Sequence, residues 1–268
     1  MEILIADQNR AGPISRDFLP EELTARFTVH LLRFSPGVVA ARNACAVRAA
    51  NDILVYLDDD ARIASPHFLR NHLLNYLDPS ISAVCGQELF PPDFHVGPPD
   101  TSQFASPYEE AEFFSRHSSL RRDVANLCTC NCSVRREVWS AVGGFNSLFT
   151  GNSYGDDTDF ALRLQARGYK IVFDPTASVD HLHWRSGGLR LSDPKNKFSL
   201  EDRYLCAWLL FLLHVPPKWW RWYLWHQVLR KSLFLKRNIA RPYLWPAITL
   251  ALARSFFRAK ALLKNHSA

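Results

Sequence analysis

Five consecutive apolar residues, Ile53-Leu54-Val55-Tyr56-Leu57, run directly into three carboxylates, Asp58-Asp59-Asp60. So short an apolar run with no polar alternation reads as a buried strand. Three like charges at a strand's C-terminal end repel one another, so they need a reason to be there. A hard divalent cation supplies one, because Mg²⁺ or Mn²⁺ takes oxygen ligands and shares its shell with substrate phosphates. The C-terminal edge of an α/β sheet is also where ligands bind. The bland alternative is a solvated acidic turn in which Asp59 or Asp60 merely caps the next element.

The rest of the first two hundred residues alternates in the same manner. Residues 2–6 read as a buried strand ending at Asp7, and residues 37–50 carry small apolar residues at helical spacing. Ser65-Pro66 starts a helix, with Ser as N-cap and Pro at the first helical position, running through Leu77. Short strands are expected at 81–85, 126–134 and 169–173, and helices at 135–142 and 156–167. Residues 90–120 read as a long loop with one helical turn, and loops of that length inside a domain tend to be functional. Strands alternating with helices predict an α/β sheet with mostly parallel pairing.

Charge divides the chain. Of its 32 Lys and Arg residues, twelve fall between Arg203 and Ala268, a stretch without Asp or Glu. The first 202 residues therefore hold 20 basic against 26 acidic residues. Such asymmetry marks a segment that binds something anionic. Two apolar runs there, 205–215 and 243–253, are each too short to span a bilayer, which needs roughly twenty residues. Between them lies Lys218-Trp219-Trp220-Arg221-Trp222-Tyr223-Leu224-Trp225, a mixture that favours the headgroup layer of a membrane. An aromatic face packed on the domain is the alternative, and nucleic acid is not expected as the partner. The start, Met1-Glu2-Ile3-Leu4-Ile5, has neither the basic nor the apolar region of a signal peptide. The six cysteines are then expected as reduced thiols. Cys128, Cys130 and Cys132 would share one face of a strand, a poor geometry for closing a metal site.

Two further clusters carry chemistry. Gly155-Asp156-Asp157-Thr158-Asp159-Phe160 opens an amphipathic helix. Capping and the helix dipole explain one acid at such a start, not three within four residues. A carboxylate held there stays ionised at neutral pH, as a general base must. Asp180-His181-Leu182-His183 comes after the strand and the Asp174-Pro175 turn. Its two imidazoles, at i and i+2, point the same way, and imidazole is the commonest nitrogen ligand of a divalent metal.

Together these blocks resemble the family-2 glycosyltransferases with the GT-A fold, and among them rhamnosyltransferases. The matching text is ARNACAVRAANDILVYLDDDARI, NCSVRREVWSAVGGFN and GDDTDFALRLQARGYKIVFDPTASVDHLH, in this order, within residues 2–190. The resemblance implies a Rossmann-like GT-A domain over residues 1–202 and a basic, helical, membrane-associating extension over 203–268. It implies Asp60 as a direct ligand of a divalent metal, Mg²⁺ or Mn²⁺, with His181 or His183 as the imidazole ligand. Asp58 and Asp59 would stand at the nucleotide, with Arg42 and Asn43 nearby, and Asp7 would contact the nucleobase. Asp157 would be the general base, beside Asp156 in place of the family's usual Glu.

The activity implied is an inverting transfer from a UDP- or dTDP-sugar to a hydroxyl of a lipid-linked or cell-surface glycan. It would take place at the cytoplasmic face of a membrane, with the protein peripheral or monotopic. The family normally opens with one more strand and helix, and residues 1–7 resemble its second strand, so either the true start lies further upstream or the domain is truncated. The competing expectation is therefore a catalytically impaired, membrane-bound relative acting as a scaffold or partner. A nucleotidyl or phosphoryl transferase would want a Gly-rich or Lys-bearing phosphate loop, and none is found.

Overall fold

The structure is a computed structural model describing residues 1–9, 12–90, 103–150, 153–182 and 200–266. Its elements run β1 (Glu2–Asp7), α1 (Glu21–Arg26), β2 (Thr28–Arg33), α2 (Val38–Arg48), β3 (Ile53–Leu57), β4 (Ala61–Arg62), α3 (Phe68–Asn75) and β5 (Ile81–Leu89). They continue with α4 (Pro107–Phe113), β6 (Arg122–Asp123), β7 (Asn131–Arg135), α5 (Arg136–Ala141), α6 (Asp156–Ala166) and β8 (Lys170–His181). The C-terminal part holds α7 (Leu200–His214), α8 (Trp220–Tyr223), α9 (Lys236–Ile239) and α10 (Trp245–His266), with short 3₁₀ and π turns between them. The chain divides into two compact units, residues 1–145 with 160–184, and residues 146–159 with 185–268.

In the first unit β1 and β2 pair in parallel as a separate ribbon. The main sheet has the order β3-β7-β5-β8-β4, with β6 also on β8. Only β5–β8 is parallel; β3–β7, β5–β7, β4–β8 and β6–β8 are antiparallel. The expectation of a mostly parallel sheet is thus corrected to a mixed one. The cause is β7, a strand inserted antiparallel between β3 and β5, whose direction an apolar run does not reveal. The middle of the sheet is fully buried, with Ala83, Val84, Cys85, Cys132, Val134, Ile171, Val172 and Phe173 at 2% exposure or less.

β8 is more than twice the length expected. Asp174-Pro175 does not end it but opens a bulge, across which the register passes from Gly86↔Asp174 to Gln87↔Ser178. Asp174 closes this loop on itself, accepting from Thr176 N at 2.9 Å and Thr176 Oγ1 at 2.7 Å. Pro175, with no N–H to offer a ladder, suits such a position. Asn131 staples the bulge, its Nδ2 donating to Gln87 O at 2.9 Å and Ala177 O at 2.8 Å. Gly86 lies beneath, where a Cβ would overlap both the Ala177 carbonyl and the Asn131 side chain.

Other differences are local. The Ser65 hydroxyl accepts from His67 N at 3.2 Å in a turn, so the helix starts at Phe68. β7 begins at Asn131, so only Cys132 of the three clustered cysteines lies on a strand; Cys128 and Cys130 precede it in the approach. In the segment read as a long loop, α4 is a full two-turn helix. Ser106 caps it by accepting from Glu109 N at 3.2 Å, and Glu109 returns to Ala105 N at 2.7 Å. This is a variant of the reciprocal pairing of Ser and Glu three apart, with the Glu bond made one residue before the cap.

The described residues of the second unit from α7 onward are mostly helical. Trp208 of α7 donates to Leu252 O of α10 at 3.0 Å and packs edge-on to Phe256 at 5.0 Å. Ser255 Oγ donates to Glu201 O at 3.1 Å. Trp220, Trp225, Tyr243 and Phe257 are exposed. Among the described residues no helix is long and apolar enough to cross a membrane.

Candidate functional site

Backbone pairing brings two of the expected site residues together. β3 delivers the three carboxylates into a tight turn, with Ala61 N donating to Asp58 O at 3.2 Å. The chain then enters β4, where Ala61 lies opposite His181 and Arg62 opposite Asp180. Leu182 N donates to Asp60 O at 2.9 Å, and Arg62 pairs with Asp180 at 2.6 Å. As a result Asp60 Oδ1 stands 3.3 Å from His181 Nε2.

The other face of the imidazole is held as well. Glu88, on β5 beyond the bulge, lies with Oε2 at 3.0 Å from His181 Nδ1 and Oε1 at 2.7 Å from Arg116 Nε. Glu88 is almost wholly buried. Burial alone would raise its pKa, but the Arg116 charge and then hydrogen bonds from His181 and Cys128 prevail and hold it down to about 2. For His181 burial opposes the charged form, yet the Glu88 hydrogen bond and the charges of Glu88, Asp60 and Asp58 outweigh it and raise its pKa.

The arrangement fits a hard divalent ion. Adjacent ligands of an octahedral shell with bonds of about 2.1 Å lie about 3.0 Å apart, close to the Asp60–His181 separation. With an ionised carboxylate on Nδ1, that nitrogen carries the proton of the neutral ring, and the Nε2 lone pair meets a carboxylate oxygen. The gap between Nε2 and the Asp60 oxygen suits a positive charge, either a second ring proton or a bound cation. Glu88, Cys130 and His181 also have ligand atoms within 4.8 Å of one another. Glu88, however, is engaged by Arg116 and His181, and burial first, then the charges of Glu88, Asp58 and Asp60, push the Cys130 thiol well up. The oxygen–nitrogen pair Asp60 and His181 is the better donor set for Mg²⁺ or Mn²⁺.

Other expected residues fall in varied settings. Arg42 Nη2 pairs with Asp58 Oδ1 at 3.1 Å, and its guanidinium lies over the Phe145 ring at 5.9 Å. Asn43 uses both ends of its amide on the Phe145 backbone, donating to its carbonyl at 2.8 Å and accepting from its N–H at 2.9 Å. Asp7 is buried and closes the loop after β1, accepting from Asn9 N, Ile14 N (both 2.9 Å) and Arg33 Nη1 (2.8 Å). The backbone donors Asn9 and Ile14, more than Arg33, lower its pKa. Asp59 is exposed, and His183 lies outside the described residues.

In the second unit the start of α6 separates its three acids. Gly155 adopts φ +86°, and a Cβ there would stand 2.7 Å from Leu210 Cδ1, so only glycine fits this turn. Asp159 is fully buried and accepts from His214 Nε2 at 2.8 Å. Asp156 is buried, while Asp157 is half-buried with Oδ1 accepting from Thr158 N at 2.8 Å. Asp159 thus has a structural task. Its partner lies 55 residues on, beyond any local pattern. Glu88 and Arg116 escaped the sequence reading for the same reason.

Residues 53–260 match the model of glycosyl transferase family group 2. The succinoglycan biosynthesis protein ExoM of Rhizobium meliloti (strain 1021) is 28% identical over 186 residues, covering 67% of this chain and 56% of that protein. The O-antigen chain rhamnosyltransferase WbaN of Salmonella anatum is 27% identical over 168 residues, covering 60% and 52%. The chain thus spans about half the length of these curated relatives. The crystal structure of S. aureus TarS 1–349 superposes with a TM-score of 0.58 at 13% identity, over 97% of this chain and 73% of that one, and shows a common fold. With the family model covering most of its length, the chain belongs to glycosyl transferase family group 2.

Proposed function

We propose that this protein is an inverting, metal-dependent glycosyltransferase. It moves a sugar from a nucleoside-diphosphate donor, UDP- or dTDP-linked, to a hydroxyl of a lipid-linked or cell-surface glycan. The observation that carries this reading is the 3.3 Å approach of Asp60 Oδ1 to His181 Nε2 at the sheet's edge. These two side chains would hold Mg²⁺ or Mn²⁺, which when bound neutralises the departing diphosphate. Asp58, held by Arg42, stands two residues from Asp60 and serves the nucleotide, with Asp59 beside it. Asp157 takes the proton from the acceptor hydroxyl as that oxygen attacks from the face opposite the leaving group, and one displacement inverts the configuration. Asp156 flanks the base. The names of ExoM and WbaN support a glycan acceptor.

The C-terminal segment would bring the enzyme to such an acceptor at the cytoplasmic face of a membrane. Its twelve basic residues, absence of acids and exposed Trp220 and Trp225 suit an anionic lipid surface. The test is release of nucleoside diphosphate from a panel of sugar nucleotides, with Mn²⁺ or Mg²⁺ and membrane lipid extract. Release should require the metal and fall at least about 100-fold in Asp60→Ala and Asp157→Asn. Turnover undiminished in both variants would refute the assignment. No turnover and no donor binding by the folded wild type would favour a scaffold.

A further inference from the structure

The metal-binding nitrogen of a histidine is chosen by what holds the other nitrogen. His181 has one ring nitrogen toward Asp60 and the other toward Glu88. Glu88 does not lie in any of the sequence blocks that carry the family resemblance, and the proposed chemistry uses neither it nor Arg116. Yet Glu88 is the most deeply buried carboxylate in the main sheet, at 1% exposure.

We propose that Glu88 is a positioning residue for His181: it accepts the Nδ1 proton and so leaves the Nε2 lone pair facing Asp60, while Arg116 holds Glu88 in place. The inference rests on the reading of Asp60 and His181 as the ligands of a divalent ion. Glu88 meets Arg116 at two points. Its backbone N–H donates to Arg116 O at 2.9 Å, and its Oε1 forms an ion pair with the Arg116 guanidinium, 2.7 Å from Nε. The neighbouring Gln87 adds a bond from Nε2 to Ser118 O at 2.8 Å, and Phe90 stacks on His117 at 6.3 Å. Residues 116–118 are thereby zipped to the end of β5. Each Glu88 oxygen faces its own partner, Oε1 the Arg116 guanidinium and Oε2 the His181 ring. The ring in turn is fixed at its Cα by the β4–β8 pairing. A segment far from the metal motifs in sequence thus sets the tautomer of the metal-binding imidazole.

Two measurements test this on the full chain. The first is ¹⁵N–¹H correlation spectroscopy of the His181 ring at about pH 9, well above the usual histidine range. The wild type should show the Nδ1–H tautomer. Glu88→Gln keeps an acceptor oxygen at nearly the same volume and should retain it. Glu88→Met, with no acceptor oxygen, should move the ring toward Nε2–H. The second is Mn²⁺ affinity by electron paramagnetic resonance, without substrate. Glu88→Met should weaken it about 10- to 100-fold, and Glu88→Gln only a few-fold. An Nε2–H ring in the wild type overturns the proposal, and that measurement needs no variant to fold. Wild-type tautomer and Mn²⁺ affinity in a folded Glu88→Met would overturn it as well. A wild type with the Nδ1–H ring, lost in Glu88→Met, but with no Mn²⁺ uptake leaves the positioning role standing and sinks the metal reading.

Discussion

His72 offers a stability measurement whose size is set by its surroundings. It is fully buried, with Nε2 at 2.9 Å from Asn131 Oδ1 and Nδ1 at 2.9 Å from Ser133 Oγ. The tautomer can be deduced. Asn131 spends its NH₂ on two backbone carbonyls, so its Oδ1 is the atom turned to His72 and Nε2 must donate. Nδ1 then accepts from Ser133, whose oxygen receives the Tyr76 hydroxyl at 2.8 Å. Burial lowers the His72 pKa to about 4, the bond to Asn131 and the charge of Asp174 opposing it only in part. Because the folded pKa lies below the unfolded 6.5, the unfolded chain takes up the proton first. The neutral ring contributes stability above about pH 6.5 and loses it as pH falls toward about 4. At about pH 4.5 the loss amounts to about 2.5 kcal/mol, taking about 1.36 kcal/mol per pKa unit. The assay is urea unfolding at about pH 7 and about pH 4.5 for the wild type and His72→Gln, which can donate to Asn131 and accept from Ser133 without titrating. Wild type should lose about 2.5 kcal/mol more than the variant across that interval. Equal losses would show that the ring is not held neutral, and the tautomer argument would fall with it.

Gly86→Ala drives a methyl into the Ala177 carbonyl and the Asn131 amide, neither of which can yield. It should destabilise the fold by about 2–3 kcal/mol in denaturant titrations and weaken Mn²⁺ binding as the bulge shifts. His214→Ala removes a hydrogen-bond donor from the buried Asp159 carboxylate and should cost roughly 1–3 kcal/mol by the same method. In vesicle flotation the protein should bind membranes rich in phosphatidylglycerol and release from them in about 0.5 M salt, where the Debye length falls well below about 10 Å. Trp220→Ala with Trp225→Ala should weaken that binding several-fold. Salt-insensitive binding would argue against a charged surface.

Elements with a clean local period were legible in the sequence. β3, α2, α5 and α6 lie within a residue or two of expectation, because apolar spacing and Gly punctuation are local signals. Asp60 and His181 were legible as candidates, since a triple carboxylate and a strand-exit histidine are unusual enough to be noticed singly. The features that stayed hidden depend on partners. The antiparallel course of β7, the full length of β8 and the pairing of Glu88 with His181 are facts of register between distant segments. Asp174-Pro175 looks like a stop, and only Asn131, more than forty residues earlier in the chain, makes it a passage. The start of α4 was readable, as Ser106 and Glu109 carry the capping pattern; the loop-like composition around them masked it.

The bulge in β8 inserts an odd number of residues, Pro175, Thr176 and Ala177, between neighbouring partners of β5. In a regular strand His181 would share a side with Phe173, eight residues before it. The insertion inverts the phase of the pleat, so His181 instead joins the side of Val172 and Asp174, where Glu88 also points from β5. Loop length at 175–177 therefore acts as a parity bit. Adding or removing one residue would send the imidazole to the wrong side of the sheet while leaving the hydrophobic half of β8 intact. A change of two would preserve its side. Divergence in this region is therefore expected in even steps, since a chain that breaks that parity would part His181 from Glu88.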